Sequence, residues 1–330
     1  MKTYHHLELT EREELSRSLV KELSYRETAK LLGRSVSTIS REINRRGMNR
    51  ESYRAIAAQE ESQRQEQKGR KQRKLDMNVK LQRNVVQYLK KRWSPEEIAK
   101  RFKILYPNDK NMQISHETIY AYIYVHPRGH LKRELLRHLR RRHKSRRVDK
   151  KRQKSSPVQD AVSIDQRPVE VNTRKVPGHW EGDLIMGAKN HSAIGTLVER
   201  TSRYTYIVKL KNKDSETVRK AFARKFNRLP PELKQSLTYD RGQEMAGHKE
   251  FSRSTKIQVY FADPHSPWQR GTSENTNGLI RDFFPRGTNF SKISAFRLKR
   301  IQDLLNDRPR KVLNFYTPNE VFPQLVALVT

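Results

Sequence analysis

Residues 263–278 read Asp263-Pro264-His265-Ser266-Pro267-Trp268-Gln269-Arg270-Gly271-Thr272-Ser273-Glu274-Asn275-Thr276-Asn277-Gly278. Pro264 and Pro267 keep this segment out of a helix before Ser266. The chain then turns small and polar, and Glu274 falls where a helix begins. Upstream, Leu237-Thr238-Tyr239-Asp240-Arg241-Gly242 reads as a short strand ending at a carboxylate, with Gly242 for the turn. Further upstream, His179-Trp180-Glu181-Gly182-Asp183-Leu184-Ile185 sets another acid inside a strand. Three carboxylates from separate elements suit a two-metal phosphoryl-transfer site. Mg²⁺ takes oxygen ligands and keeps several waters, so a few carboxylates suffice to hold a pair of ions.

Each acid alone has a plainer reading. Asp240 beside Arg241-Gly242 could be a turn residue, and Glu274 could be a helix N-terminal charge favoured by the dipole. Asp183 is harder to dismiss, because a carboxylate in a central strand is unfavourable without a partner. Glu181 shares its face by two-residue alternation and is a rival for the first acid. Trp268 is expected to pack its own loop rather than stack on a base.

The 330 residues carry 70 Lys and Arg against 36 Asp and Glu, a net charge of +34. Residues 1–154 hold a net +23 of it and residues 155–330 a net +11. Such an excess points to a polyanionic partner, most often nucleic acid. No apolar run approaches a membrane span, and no secretory leader is visible. The absence of cysteine excludes disulfides and thiolate zinc sites and fits a cytoplasmic protein.

Residues 1–57 read as a helix-turn-helix domain. Thr10 and Glu13 have capping-box spacing, and Leu15, Leu19 and Leu23 recur on one helical face. A second helix covers Tyr25 to Leu32, and Gly33 supplies the turn. Ser35 caps a third helix with Val36, Ile39 and Ile43 expected inside. Its other face offers Ser37, Thr38, Ser40, Arg41 and Arg45, followed by Arg46, groups suited to base edges and phosphates. Residues 58–77 read as a linker or an exposed helix. Residues 78–129 repeat the helical logic, with Ser94 before Pro95 and Ser115 as caps. This reads as a second helix-turn-helix-like domain, though Tyr120, Tyr122 and Tyr124 suit core or dimer packing equally. Residues 130–154 hold 13 Lys and Arg against 2 acids. They make 130–161 a basic linker, with Arg140, Arg141 and Arg142 expected on DNA phosphates.

From residue 162 to 330 β-branched runs appear. Strands are expected at His179–Met186, Ala193–Glu199, Tyr204–Lys209, Leu237–Asp240 and Ile257–Phe261. Helices are expected at Asp214–Leu229, Gly247–Ser254 and Ser294–Asp307, besides the one bearing Glu274. The order gives three antiparallel strands and then alternating helix and strand. That is a mixed five-stranded α/β sheet covered on both sides, behind all-α helix-turn-helix units.

At these residues the chain resembles DDE transposases and retroviral integrases. Asp240 and Glu274 have 33 residues between them. His-Trp-Glu-Gly-Asp surrounds the first acid and Pro-His-Ser-Pro-Trp-Gln-Arg-Gly-Thr-Ser-Glu-Asn-Thr-Asn-Gly-Leu-Ile-Arg the last. Phe283-Phe284-Pro285-Arg286-Gly287-Thr288 follows, and Thr38–Glu42 reads Thr-Ile-Ser-Arg-Glu. These stretches are similar to the bacterial insertion-sequence-thirty family, over nearly the whole chain. The resemblance implies a ribonuclease-H-like catalytic domain with Asp183, Asp240 and Glu274 as catalytic metal ligands. It implies two Mg²⁺ ions, with Mn²⁺ able to substitute. It also implies terminal inverted-repeat DNA as the site of cleavage and joining of 3′-hydroxyl ends to target DNA. Double-stranded DNA is then the partner, with at least a homodimer when two ends are synapsed, in a cytoplasmic, nucleoid-associated setting without a membrane. His265 and Arg270 are candidates for touching DNA. A DNA-binding regulator and a simple Mg²⁺-dependent nuclease are the alternatives.

Overall fold

The computed structural model describes residues 6–44, 49–67, 73–125, 133–136, 139, 158–264 and 266–329. Arg45, Arg46, Arg140, Arg141, Arg142 and His265 lie outside the described residues, as does most of 130–161. The chain divides into two compact units, Met1–Met77 and Asn78–Thr330.

In the first unit, α1 (Leu9–Val20), α2 (Tyr25–Leu31) and α3 (Val36–Ile43) form the expected helix-turn-helix. Helix α4 (Ala55–Gln67) packs on α1, burying Ala58 and Ser62. Leu15, Leu19, Ala29, Ile39, Ile43 and Tyr53 close the core. Ser24 and Ser35 cap α2 and α3. Two local expectations fail. Helix α1 begins before Thr10, because the Glu11 carboxylate accepts the Glu8 N–H at 2.9 Å and fixes the first turn there. Val36 is exposed, since it occupies the first helical position, before the turn that faces the core. Arg12 is buried between helices and pairs with Glu42 at 2.7 Å and with Gln59.

A short α5 (Lys74–Met77) ends the first unit, and the second holds α6 (Val79–Lys90), α7 (Pro95–Leu105) and α8 (His116–Val125). Leu81, Val85, Leu89, Ile98, Phe102, Ile119 and Ile123 are buried among them. Ser94 and Glu97 make a reciprocal capping box at α7, with Pro95 at the first position. Helix α7 docks on the C-terminal segment through ion pairs from Glu97 to Arg308 at 3.0 Å and from Arg101 to Glu320.

Strands β1 (His179–Met186), β2 (Ala193–Glu199), β3 (Thr205–Lys209), β4 (Ser236–Tyr239) and β5 (Gln258–Phe261) form one sheet in the order β3-β2-β1-β4-β5. The first three are antiparallel, while β4 and β5 run parallel to β1. Helices α9 (Ser215–Phe226) and α10 (His248–Thr255) cover one face, burying Trp180, Leu197, Leu237 and Tyr239. Phe322 of α13 (Pro318–Val329) joins that core. Helices α11 (Gly271–Phe283) and α12 (Ala295–Asn306) cover the other face, over Ile185, Ile194 and Ile207. Gln302 and Asn306 on α12 accept the Ile207 and Thr205 N–H groups at 3.0 and 2.9 Å. The outer edge of β3 is thereby capped by side-chain amides.

Gly182 shapes the middle of β1. A Cβ there would lie 2.8 Å from the Tyr239 ring, which is itself fully buried. Glycine lets that ring pass beneath β1, while Glu181 and Asp183 project from the opposite face.

Candidate active site

The parallel pairing of β1 with β4 sets Glu181 opposite Thr238. Two residues further along each strand, Asp183 and Asp240 come level, Asp240 lying just past the end of β4. Arg270 spans them. Its guanidinium reaches Asp183 at 3.5 Å and Asp240 at 3.2 Å. The Asn277 amide donates to the other Asp183 oxygen at 2.7 Å, and the Thr196 hydroxyl of β2 donates to the Asn277 carbonyl at 3.1 Å. The Leu184 N–H donates to Asp183, and the Gly242 N–H donates to Asp240.

Burial pushes the Asp183 carboxyl up to about 6. The Arg270 charge opposes this and the Asp240 charge adds to it. A further acid joins them. Burial, followed by the charges of Asp240 and Asp183, also raises the Glu244 carboxyl. Glu244 folds back over Gly242, where a Cβ would lie 2.4 Å from its carboxylate oxygen. Neither Glu244 nor Asn277 stands in a motif that marks it in the sequence. The signal available for Asn277 was its place one helical turn beyond Glu274.

Glu274 stands exposed in the first turn of α11 and makes no hydrogen bond or ion pair among the described residues. Glu274 and Asn277 stand three residues apart on α11 and so share a side of it, and Asn277 contacts Asp183. Glu274 is therefore carried on the side of α11 that faces the acids. Among the described residues, no three acids or histidines are gathered closely enough to grip one ion. The oxygen donors of Asp183 and Asp240 suit a hard divalent cation. Arg270 lies between these two acids as their cationic partner.

Glu181 is placed differently. It is completely buried, accepts the Ser273 N–H at 2.8 Å and pairs with Arg200 at 3.3 Å. Its carboxylate holds the N-terminus of α11 against the sheet. His179 nearby is pushed down to about 4 by burial and by Arg200 and Arg167, which keeps it neutral at pH 7. Trp268 is 73% exposed, so it does not pack its loop as expected. The short turn Pro267–Arg270 holds its ring outward ahead of α11. On α3, Ser37 and Arg41 are exposed and Thr38 and Ser40 half-buried, opposite the buried Ile39 and Ile43.

The family profile of the integrase core domain matches residues 173–267, and that of a helix-turn-helix domain matches residues 3–46. The transposase for insertion sequence element IS1086 of Cupriavidus metallidurans is 44% identical over 98% of this chain and 96% of its own. The chain belongs to the IS30 family of transposases. Transposase InsI for element IS30A of Escherichia coli is likewise 44% identical, over 98% of this chain and 85% of its own. The catalytic core domain of BIV integrase aligns over 44% of this chain with a TM-score of 0.36 and 17% identity. As an IS30-family transposase the chain is an enzyme of DNA recombination, with a helix-turn-helix region ahead of a ribonuclease-H-like integrase core. Cores of this kind normally use a divalent metal. Among the described residues, no helix is long and apolar enough to cross a membrane.

Proposed function

We propose that this transposase binds the terminal inverted repeats of its element, cleaves there and joins the 3′-hydroxyl ends to target DNA. The observation supporting this is the level pair Asp183 and Asp240 on neighbouring parallel strands, with Glu274 on the facing side of α11. Asp183, Asp240 and Glu274 would hold two Mg²⁺ ions, or Mn²⁺ in their place. Bound there, the ions supply Lewis acidity and charge neutralisation to phosphoryl transfer. Asn277 holds the Asp183 carboxylate in one orientation through its short hydrogen bond. Arg270 offers a planar, multiply donating cation where a phosphate enters between the strand ends. Ser37, Thr38, Ser40 and Arg41 on α3, with Arg45 and Arg46 beyond it, read the end sequence and grip its phosphates. Arg140, Arg141 and Arg142 add phosphate contacts, and His265 contributes a further contact to the DNA. Two copies at least act together, since two ends must be synapsed.

Glu274→Gln tests this reading. It keeps size and hydrogen bonding but removes a ligand charge. End-DNA binding should persist, while Mg²⁺-dependent nicking and the joined product should both fall by at least about a hundredfold, the scale of losing a key electrostatic group. Asp183→Asn and Asp240→Asn should match it, and double variants should be no worse. Robust joining by Glu274→Gln would sink the three-carboxylate mechanism. Nicking without a joined product in the unaltered chain would mark a nuclease, and neither reaction would mark a regulator.

A further inference from the structure

Behind α11, on the side away from the acids, lies a cavity of about 320 Å³. That is room for roughly ten waters at about 30 Å³ each. Thr272, Thr276 and Leu279 of α11 form one wall, and these positions sit about half a helical turn from Glu274 and Asn277. Arg174, Arg203, Arg310 and Lys311 supply the other walls. They come from separate segments: the approach to β1, the β2–β3 turn and the chain after α12. The single acid lining the cavity is Glu97, and both its oxygens are held by Arg308 at 3.0 and 3.1 Å. Lys311 has a surface partner in Glu96 at 3.1 Å. Arg203 donates to the Thr272 hydroxyl rather than to a carboxylate. Arg174 is exposed, with no carboxylate paired to it among the described residues.

Four cations thus line the cavity against a single lining acid, and that acid is held by Arg308. Burial, and next the neighbouring Arg174, push the Arg203 guanidinium down to about 10, the direction that crowded, desolvated cations take. The first turn of α11 adds the positive end of a helix dipole beside Gly271 and Thr272. A hydroxyl, several guanidinium and ammonium donors and a helix end converging on one concavity match the oxygens of a phosphodiester.

We propose that this cavity seats a DNA backbone phosphate, separate from the one being cut. A helix is roughly 10–12 Å across. The seated phosphate would therefore lie about three nucleotides from the reacting one, at about 3.4 Å of rise per nucleotide. The site positions the duplex without reading its sequence. It depends on the transposase reading only for the identity of the polyanion.

Binding of the full chain to an end-containing duplex tests this in chelator, where no chemistry occurs. Failure of the catalytic reading is seen in the Glu274→Gln assays and leaves this measurement untouched. Arg174→Gln, which alters an exposed side chain, should lower the log–log salt slope by about one. The affinity lost between about 50 and 200 mM salt should shrink about three- to fourfold. Arg203→Gln should do the same. Single methylphosphonate substitutions near the third nucleotide from the cut should weaken the unaltered chain and leave Arg174→Gln unaffected. An unchanged slope in Arg174→Gln, or methylphosphonate effects identical in both proteins, would overturn the proposal. So would saturable binding of inorganic phosphate that Arg174→Gln abolishes while the DNA slope stays the same, which would make the cavity a small-anion site.

Discussion

A carboxylate with no solvent exposure must be matched, and Glu181 is matched by a backbone N–H of α11 and by the Arg200 charge. Arg167 and Arg203 also feel its field. Glu181→Gln would take one carboxylate from among these cations and leave Arg200 and Arg203 with Glu199 alone. Breaking a buried pair this way costs about 3–5 kcal/mol. The expected outcome is a lower melting temperature with Mn²⁺ binding retained. The reverse, an unchanged melt with lost Mn²⁺ binding, would make Glu181 the ligand in place of Asp183. Sequence alone could not separate the two acids, because two-residue alternation puts both on one face of β1. What distinguishes them is where α11 crosses the sheet. Its first turn meets Glu181 and its second meets Asp183. Trp268 departs from expectation for a related reason. An aromatic ring is by default a packing residue, and only the tertiary path of residues 263–270 shows that this one faces solvent.

The elements themselves were legible. Strands β1 and β2 begin and end where alternation and flanking turn residues place them, and the caps of α3 and α7 use Ser in the ordinary way. The start of α1 was not, because two overlapping acid spacings compete there and the Glu8–Glu11 pair prevails. The docking of α7 was equally hidden. Glu97 meets Arg308 211 residues further along the chain, and no local pattern announces such a pair. Arg308 is 2% exposed, so Arg308→Met keeps bulk but removes the charge that holds α7. The expected loss is about 3 kcal/mol of unfolding free energy, within the range for a broken buried pair. Hydrogen exchange should rise over residues 95–105 before it rises in β1. Uniform exchange across the second unit, with no preference for α7, would show that the ion pair does not set this docking.

For the molecule as a whole, the net charge of +34 means that association with DNA is governed by counterion release. The charge is concentrated in the N-terminal half, and its densest run is 130–154. Replacing Arg140, Arg141 and Arg142 together with Gln should lower the salt slope of DNA binding by about 2–3, at roughly 0.9 per phosphate contact. It should leave the preference for end DNA over random DNA in place. An unchanged slope would mark that run as a tether. Composition gave this property directly, because charge sums do not depend on the fold. The position of the cationic cavity behind α11 does depend on it. Its walls come from segments spread between residues 97 and 312.

Gly182 leaves β1 no room to drift. Every amino-acid replacement reachable by one nucleotide change from a glycine codon brings a Cβ, and that atom would meet the buried Tyr239 ring at 2.8 Å and Leu237 at 3.2 Å. Neither neighbour can step aside, since both are packed on the side opposite the acids. Nor can the strand escape by sliding, because a one-residue shift turns both carboxylates into the apolar layer. The Glu-Gly-Asp triplet is therefore isolated in sequence space. A lineage that loses its middle residue can regain a working sheet only by reverting or by rebuilding β4 in the same step.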